Sequence, residues 1–349
     1  MLNLKINNVS IKGISTVVPK TELCLTDDKT LYDGNEKQLK RVMKSSGFNK
    51  RRVTDENTTA SDLCYIAGKD LLENMNIPVD TIQGVIFVTQ TPDYHIPATA
   101  CILQDRLGIT QASVAFDVNQ GCAGYTYGLY IAASLVNSGL KRILLLVGDT
   151  SSKYTDMFKE HKSAPIFGDA GSATLLEFDT NAEPIYFDIG TDGSNYDVIM
   201  AKNGCFKNPV KKEDFYEDGT YKYKAQMDGM KVMEFTLDKV PKSINIVLDF
   251  ANTSKEEIDY YIMHQANKFI LQNIALNADI PIEKMPFETL SKYGNQSCTS
   301  IPSAICDAIR NDIQNRPLKL LLSGFGIGLS WVSCIIDTNK IYCSDIIEY

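Results

Sequence analysis

The 349-residue sequence is poor in histidine, lacks paired cysteine motifs and contains fewer basic than acidic residues. It contains three histidines, and its nine cysteines form no Cys-x-x-Cys pair and no Cys/His cluster at zinc spacing. We therefore predict no metal site. The odd number of cysteines and the absence of a disulfide-type pattern predict reduced thiols and a cytoplasmic protein.

The shortage of basic residues also limits the class of partner. With 35 Lys and Arg against 43 Asp and Glu, the formal net charge is -8. General binding to nucleic acid is not expected, because phosphate contacts require a surplus of basic side chains. Residues 320–336 form the only long uncharged apolar stretch, which is rich in glycine and shorter than the ~20 residues of a membrane helix. We interpret it as two buried strands around a glycine turn and predict no membrane span.

One cysteine differs from the others in its position. A short β-type run at 114–118 leads to Cys122, and an apolar helical pattern continues from there to about Asn137. A free cysteine is most often a small buried hydrophobe, and this segment alone favours that interpretation. A helix N-terminus can however lower the pKa of a thiol, so the position also suits an activated nucleophile.

Strand-like and helical segments alternate along the chain, and this alternation predicts a parallel sheet that is covered on both faces. The second half repeats the layout of the first, with a strand that ends in His264 and a strand that leads into the glycine loop at 324–328. Because ligands bind at the carboxyl ends of parallel strands, we expect Cys122, His264 and this loop to converge on one site. A helix at 227–250 is expected to be kinked or divided by Pro241.

The remaining candidate residues are few. His95 and His161 lie in turn and loop sequence and are predicted to be structural or surface groups, whereas His264 could pair with Cys122 as an acid or base. Asn295 is either a turn residue or a hydrogen-bond donor to an oxyanion. The glycine loop lacks the third glycine of a dinucleotide fingerprint, because Leu329 occupies that position, and it suits an oxyanion hole instead.

Six motifs in a fixed order resemble 3-oxoacyl-acyl carrier protein synthase III, of the thiolase-like superfamily. They are the cysteine segment 114–129, Phe167-Gly-Asp-Ala-Gly171, Asp192-Gly-Ser194, His264-Gln-Ala-Asn267, Tyr293-Gly-Asn-Gln-Ser297 and the glycine loop 324–328. The resemblance implies an α/β protein with a duplicated, five-layer αβαβα fold. We assign residues 1–180 to an N-terminal half and 227–349 to a C-terminal half, with 181–226 as an exposed insertion that covers the site.

The resemblance also implies the chemistry. Cys122 would accept an acyl group, and His264 and Asn295 would hold the thioester oxygen of a malonyl extender during decarboxylation. The backbone N–H groups of Cys122 and Ile327 would form an oxyanion hole. Acyl and malonyl groups would arrive on phosphopantetheine thioesters of acyl carrier protein or coenzyme A, with no further cofactor, and the protein would be a homodimer.

Alignment with the family places further residues in binding roles. The predicted substrate-binding residues are Ile96, Phe167, Met227, Asn267 and Gly326. Ile96 stands where the family often has an aromatic gate, and Arg41 and Ser45 stand near the positions that clamp the adenine of coenzyme A. Docking of the carrier protein is expected at the basic run 37–52, through Lys40, Arg41 and Lys44, together with Lys268.

Three other functions compete with a condensing enzyme. An acyltransferase could use Cys122 and pass the acyl group to an amine or hydroxyl acceptor without decarboxylation. A hydroxymethylglutaryl-type synthase would need a glutamate motif that the sequence does not show. A non-enzymatic scaffold would be expected to have lost Cys122, His264 or Asn295, and all three are present.

Overall fold

The computed structural model describes residues 2–27, 31–154, 166–217, 219 and 225–349. The strands are β1 (Leu2–Ile6), β2 (Val9–Val18), β3 (Glu22–Cys24), β4 (Lys50–Arg52), β5 (Gly84–Val88), β6 (Val114–Val118), β7 (Arg142–Asp149), β8 (Ala170–Phe178), β9 (Ile185–Thr191), β10 (Ile199–Met200), β11 (Gln226–Met227), β12 (Tyr260–Met263), β13 (Leu318–Gly326), β14 (Ser330–Thr338) and β15 (Tyr342–Glu348). The α-helices are α1 (Glu36–Ser46), α2 (Ala60–Asn74), α3 (Thr99–Arg106), α4 (Gly124–Asn137), α5 (Gly229–Ala251), α6 (Lys268–Ala278), α7 (Thr289–Tyr293), α8 (Ser300–Ala304) and α9 (Arg310–Asn315).

The helices and the two large sheets pack into five layers. Helices α2 and α3 cover one face of a six-stranded sheet, and α5 and α6 cover one face of a five-stranded sheet. Helix α4 and the helical segment that begins with α8 lie between the two sheets, where α4 contacts strands of both. The middle layer belongs to an apolar core that includes Leu129 of α4, Ile301 of α8, Val147 and Leu320. The predicted αβαβα arrangement is therefore confirmed.

The two sheets share one strand arrangement, which supports the predicted duplication. In the first sheet, in the order β2-β8-β7-β5, β8 pairs antiparallel with β2 and with β7, and β7 pairs parallel with β5. In the second sheet, in the order β9-β14-β13-β12, β14 likewise pairs antiparallel with β9 and with β13, and β13 pairs parallel with β12. The prediction of a parallel sheet was therefore wrong in part, because β8 pairs antiparallel with β7 and β2, and β14 pairs antiparallel with β13 and β9.

The boundaries of the halves differ from the prediction in the segment 181–226. Its first part, β9, is a strand of the second sheet, paired with both β14 and β1, so it is not an exposed insertion. Alternate residues of β9 face the core, namely Ile185, Phe187 and Ile189, and this pattern explains why β9 belongs to the sheet. Six described residues between 199 and 227 line the pocket, namely Ile199, Met200, Ala201, Cys205, Ala225 and Met227.

Two further predictions have clear outcomes. The apolar stretch 320–336 lies in two buried strands around a glycine turn, as predicted, and these strands, β13 and β14, pair antiparallel. Helix α5 continues through Pro241 without a division, and Pro241 is buried in it. The division was expected from the missing N–H of proline, but buried packing on both sides of Pro241, with Val240 and Ile244 fully enclosed, holds the helix together.

Candidate active site

Three strand ends of the two sheets meet at one pocket. Cys122 follows β6, His264 directly follows β12, and Gly326 is the last residue of β13. The strands β5, β6 and β7 are parallel to one another, as are β12 and β13, so their carboxyl ends point to the same edge within each sheet. All three residues line a cavity of about 430 Å³. The predicted convergence is therefore present in the fold.

Cys122 lies in the turn that precedes helix α4, two residues before its first residue, Gly124. Its side chain is partly exposed and faces the pocket. Burial and the nearby carboxylate of Asp149 raise the pKa of the Cys122 thiol to about 12. This direction is opposite to the lowering that a helix N-terminus can cause, because desolvation of the thiolate is the largest contribution and outweighs the hydrogen bonds that favour the anion.

The glycine loop closes directly over this thiol. A Cβ on Gly326 would lie 2.6 Å from the Cβ of Cys122, so only glycine permits the approach. Gly326 also has a φ of 153°, which side-chain-bearing residues rarely adopt. The next residue, Ile327, donates its backbone N–H to the sulfur of Cys122, and the N–H of Cys122 itself also points to that sulfur. These two N–H groups lie where an oxyanion hole is predicted.

His264 is fully enclosed at the end of β12. Its Nδ1 lies 2.8 Å from the hydroxyl oxygen of Ser300, and its ring meets that of Phe325 edge to face at 5.4 Å. Burial lowers the pKa of His264 to about 4, although a hydrogen bond with the backbone of Ser297 opposes this shift. The imidazole is therefore neutral near pH 7, with Nδ1 occupied and the other nitrogen left for the pocket.

Asn295 is held in place by backbone hydrogen bonds to the neighbouring segment 166–168. Its backbone N–H donates to the carbonyl of Ile166 at 2.7 Å, and its carbonyl accepts from the N–H of Gly168 at 3.0 Å. The side-chain oxygen accepts from the N–H of Ser297 at 3.0 Å. Because Oδ1 is occupied in this way, the amide NH2 is the end that can serve a ligand in the pocket.

Comparisons with known proteins agree with this arrangement. Models of 3-oxoacyl-[acyl-carrier-protein (ACP)] synthase III match residues 116–193, and its C-terminal model matches residues 248–338. A putative 3-oxoacyl-[acyl-carrier-protein] synthase 3 from Campylobacter jejuni is 35% identical over 100% of this chain and 99% of its own length. The chain belongs to the 3-oxoacyl-[acyl-carrier-protein] synthase III family.

Solved structures give the same result. A 3-oxoacyl-(acyl-carrier protein) synthase from Burkholderia xenovorans superimposes with a TM-score of 0.93 at 35% identity, covering 100% of this chain and 99% of that one. The synthase III of Pseudomonas aeruginosa gives 0.82 at 26% identity, with coverage of 96% and 99%. OleA from Xanthomonas campestris, at 18% identity, covers 95% of this chain and shares the fold, with a TM-score of 0.80. The protein is thus an acyl-transferring, decarboxylating condensing enzyme with the thiolase-like fold of the family.

Four of the five predicted substrate-binding residues line the pocket. They are Phe167, Met227, Asn267 and Gly326. Asn267 also begins helix α6, because its side-chain oxygen accepts from the N–H of Ile270 at 2.8 Å. The fifth, Ile96, lies outside the pocket of its own chain with 85% of its surface exposed. It belongs to the loop between β5 and α3, and its role in substrate binding stays a prediction.

The four predicted docking residues lie on adjoining helices. Lys40, Arg41 and Lys44 are exposed on α1, and Lys268 begins α6. The end of α1 packs on α6, since a Cβ on Gly47 would come within 2.9 Å of the Cβ of Lys268. The last residues of the predicted basic run, 50–52, form β4 and are committed to ion pairs and backbone carbonyls. The basic side chains of this region that are not committed in this way therefore lie on α1 and at Lys268.

His95 is exposed, with its ring centroid 6.3 Å from that of Phe206, as expected for a surface group. His161 lies outside the described residues.

No helix among the described residues is long and apolar enough to cross a membrane, and no group of three potential metal ligands occurs among them.

The sequence interpretation missed three polar residues of the site. Asp149 ends β7 beneath the pocket, and Ser297 and Ser300 follow Asn295 on the way into α8. Asp149 could have been found by the strand-end rule that selected Cys122 and His264. The two serines carry no separate signal, because serine at a turn before a helix is ordinary.

Proposed function

We propose that Cys122 carries the acyl group and that His264 and Asn295 hold the extender. In the first half-reaction the sulfur of Cys122 attacks the carbonyl of a donor thioester, forms a new thioester and expels the donor thiol. The N–H groups of Cys122 and Ile327 stabilise the negative oxygen that forms on the carbonyl carbon. One such donor is worth roughly 3 kcal/mol of the activation free energy.

In the second half-reaction a malonyl thioester occupies the pocket next to the acylated cysteine. Loss of carbon dioxide leaves an enolate whose oxygen accepts hydrogen bonds from the free ring nitrogen of His264 and the NH2 of Asn295. The carbanion then attacks the acyl carbonyl and releases the sulfur of Cys122, which gives a 3-oxoacyl thioester. A neutral imidazole suits this role, since it donates a hydrogen bond without losing a proton.

One observation carries this assignment. The three side chains open into a single cavity. Nδ1 of His264 is hydrogen-bonded with the hydroxyl of Ser300, and Oδ1 of Asn295 accepts from the N–H of Ser297, so neither atom is available to a ligand. Both groups therefore present their remaining polar ends to a ligand. A structural role would require neither a shared cavity nor this orientation.

The nature of the donor belongs to the same proposal. Acyl and malonyl groups are proposed to arrive on phosphopantetheine thioesters, with acyl carrier protein docking on α1 and Lys268, and without a metal or redox cofactor. The exposed lysines and arginine of α1 support this surface, because carrier proteins that bear acidic charge are attracted by basic patches. We also propose cytoplasmic localisation, in keeping with free cysteines throughout the described residues.

A homodimer completes the proposal. Two side chains near the pocket face, Ile96 and Phe206, are 85% and 93% exposed, and isolated monomers rarely expose such groups together. A second copy would cover them. Light scattering of the wild type and of Ile96→Glu checks this point, with a dimer expected for the first and a weakened dimer for the second.

The proposed function is tested by product analysis. The protein is incubated with acyl carrier protein and coenzyme A thioesters of several chain lengths, then with a malonyl thioester, and examined by intact mass, carbon dioxide release and product mass. We expect an acyl adduct on Cys122 and a 3-oxoacyl product. An adduct discharged only by an amine or alcohol would instead support the acyltransferase alternative.

A further inference from the structure

Some polar side chains of the cavity have no role in the steps above. Among the described Asn, Gln, Ser and Thr residues that line it, those left without a role are Gln90, Asn119, Ser151 and Thr236. The first three follow the strands β5, β6 and β7, whereas Thr236 belongs to helix α5 and is fully buried. The unassigned polar side chains therefore concentrate at one edge of the first sheet.

These three side chains lie at adjacent strand ends. β5 pairs parallel with β6 on one side and with β7 on the other, so the carboxyl ends of the three strands lie side by side. Gln90 and Ser151 come two residues after the ends of β5 and β7, and Asn119 comes one residue after β6. Because neighbouring strands are only about 4.8 Å apart, the three side chains can reach a common ligand.

Gln90 is held next to the segment that carries the nucleophile. Its backbone N–H donates to Asp149 at 2.7 Å, and the hydroxyl of Thr89 donates to the same carboxylate oxygen at 3.2 Å. Its side-chain amide lies against Gly121, since a Cβ on Gly121 would come within 2.4 Å of Oε1 of Gln90. The buried carboxylate of Asp149 thus fixes the end of β5, and the amide of Gln90 lies beside the residue that precedes Cys122.

Asn119 and Ser151 have unused hydrogen-bonding groups. Asn119 is exposed and Ser151 is half-buried, and both line the cavity. Within the part of the chain that the structure describes, neither side chain forms a hydrogen bond. An amide offers two donor hydrogens and an acceptor oxygen, and a hydroxyl offers one donor and an acceptor. Both residues can therefore bind a polar group that enters this edge of the cavity.

The walls away from this edge and from the catalytic residues are mainly apolar. They come from the segments 166–167 and 199–201 and from helices α5 and α6, and they include Ile166, Phe167, Ile199, Met200, Val232 and Ile270. An apolar wall accepts an alkyl chain without loss of hydrogen bonds, whereas the edge at β5, β6 and β7 does not. The cavity thus has one edge that is suited to a polar substituent.

The proposed reaction leaves this edge to the acyl group. The extender is bound by His264 and Asn295 of the second half, and its carrier docks on α1 and Lys268. The acyl group is bonded to Cys122, and its carbonyl oxygen lies at the N–H groups of Cys122 and Ile327. The ends of β5, β6 and β7, which belong to the same sheet as the strand before Cys122, remain for the part of the acyl group beyond its carbonyl.

We propose that Gln90, Asn119 and Ser151 bind a hydroxyl group on the acyl chain, so that the preferred donor is a hydroxyacyl thioester. An alkyl chain at this edge would displace water from the polar side chains and leave them without partners, which is unfavourable. A hydroxyl donates one hydrogen bond and accepts others, so it restores these interactions. Sites that bind a substrate hydroxyl in this way discriminate against the analogue that lacks it. The assignment rests on the proposed role of Cys122 as acyl acceptor.

Competition between matched donors tests the hydroxyl subsite. Butanoyl thioester is mixed in equal amount with 2-hydroxybutanoyl or with 3-hydroxybutanoyl thioester, on coenzyme A and on acyl carrier protein, without malonyl thioester. The competing adducts on Cys122 differ by the mass of one oxygen atom, so intact mass gives their ratio. Time courses with single donors give the separate acylation rates.

We expect wild type to take up the better of the two hydroxyacyl groups about tenfold faster than butanoyl. This ratio corresponds to ~1.4 kcal/mol, which lies within the range of one net hydrogen bond. Gln90→Met, Asn119→Leu and Ser151→Ala should each lower the ratio about threefold by slowing the hydroxyacyl donor. The double variant Gln90→Met with Asn119→Leu should remove the preference, while the rate with butanoyl stays within about twofold of wild type.

Gln83→Met is the matched control. Gln83 lies just before β5, at the end of the strand opposite to Gln90, and its Oε1 accepts from the N–H of Lys141 at 2.6 Å. It does not line the cavity. Its substitution therefore removes a glutamine amide from the same strand without changing the proposed subsite, and the preference of wild type should be kept.

A wild type that takes up butanoyl as fast as both hydroxyacyl groups would overturn the hydroxyl subsite. Equal slowing of both kinds of donor in the variants would also contradict it, because a structural role or a contact with the phosphopantetheine arm affects every donor. Should Gln90→Met fail to fold, Asn119→Leu decides the matter, since Asn119 is exposed. A butanoyl adduct without any preference contradicts the subsite alone, whereas absence of every adduct contradicts the proposed function as well.

Discussion

The two halves of this fold have the same strand arrangement and different chemistry. The strand ends of the first half present Cys122 and Asp149, whereas those of the second half present His264 and the loop at Gly326 and Ile327. The first set is suited to forming and breaking a thioester, and the second to stabilising negative oxygen. The duplicated framework thus places the proposed acyl acceptor in one copy and most of the groups proposed to stabilise negative oxygen in the other.

The largest effect is expected in the first half. Cys122→Ala removes the acyl acceptor, so turnover should fall by at least about 10⁴-fold, since loss of a nucleophile abolishes the covalent route. Intact mass after donor addition measures the adduct. Cys334→Ala, at a fully buried cysteine of β14, is the control and should keep the adduct. An adduct in Cys122→Ala would show that another residue is acylated.

His264→Ala should separate acyl transfer from condensation most clearly. Enolate stabilisation is lost, so product formation should fall about 10³-fold, while the acyl adduct on Cys122 still forms. Adduct and carbon dioxide are measured in the same reaction. His95→Ala, at an exposed histidine, is expected to behave as wild type. Equal loss of adduct and product in His264→Ala would mean that His264 itself also serves acyl transfer.

The same histidine should make stability depend on pH. The folded pKa of His264 is about 4, against 6.5 in the unfolded chain, so the unfolded state binds a proton first as pH falls. Stability is therefore lost between pH 6.5 and 4, by roughly 3 kcal/mol, and does not change through this group above pH 6.5. Urea unfolding of wild type and His264→Gln at pH 7.5 and 4.5 measures the difference. Parallel loss in both proteins would contradict the assignment.

Cys122 and His264 could be selected from the sequence because each follows a predicted strand, whereas Asn295 and the layer arrangement came from the resemblance to the family. The sequence could not predict the contacts between distant segments. The pKa of Cys122 depends on Asp149, which is 27 residues away in sequence. Antiparallel strands were missed because a buried run of apolar residues gives no strand direction.

A smaller effect is expected from Ser300→Ala. The variant removes the hydroxyl that holds Nδ1 of His264, so the ring loses its fixed orientation and condensation should slow about tenfold. Ser303→Ala is the control, since Ser303 lies in the same helix with its hydroxyl buried and without a hydrogen-bond partner among the described residues. Single-turnover decay of the pre-formed adduct with malonyl thioester measures both. Equal rates for the two variants would contradict the role of Ser300.

The smallest effect is expected at the docking surface. Lys40→Glu with Lys44→Glu should raise KM for carrier-protein thioesters roughly fivefold and leave coenzyme A thioesters unchanged, because surface charges mainly affect encounter. Lys69→Glu, on α2, is the control. Steady-state kinetics at two salt concentrations measure the change. The same rise in KM for both kinds of donor would place docking elsewhere.

The division of labour is tested most directly by one time course of intact mass with His264→Ala. The variant is acylated by a thioester donor, freed of excess donor and mixed with malonyl thioester. The structure predicts an acyl adduct on Cys122 that forms at nearly the wild-type rate and then persists while the wild-type adduct disappears. Discharge of the adduct at the wild-type rate, with formation of the 3-oxoacyl product, would contradict the assignment of condensation to the second half.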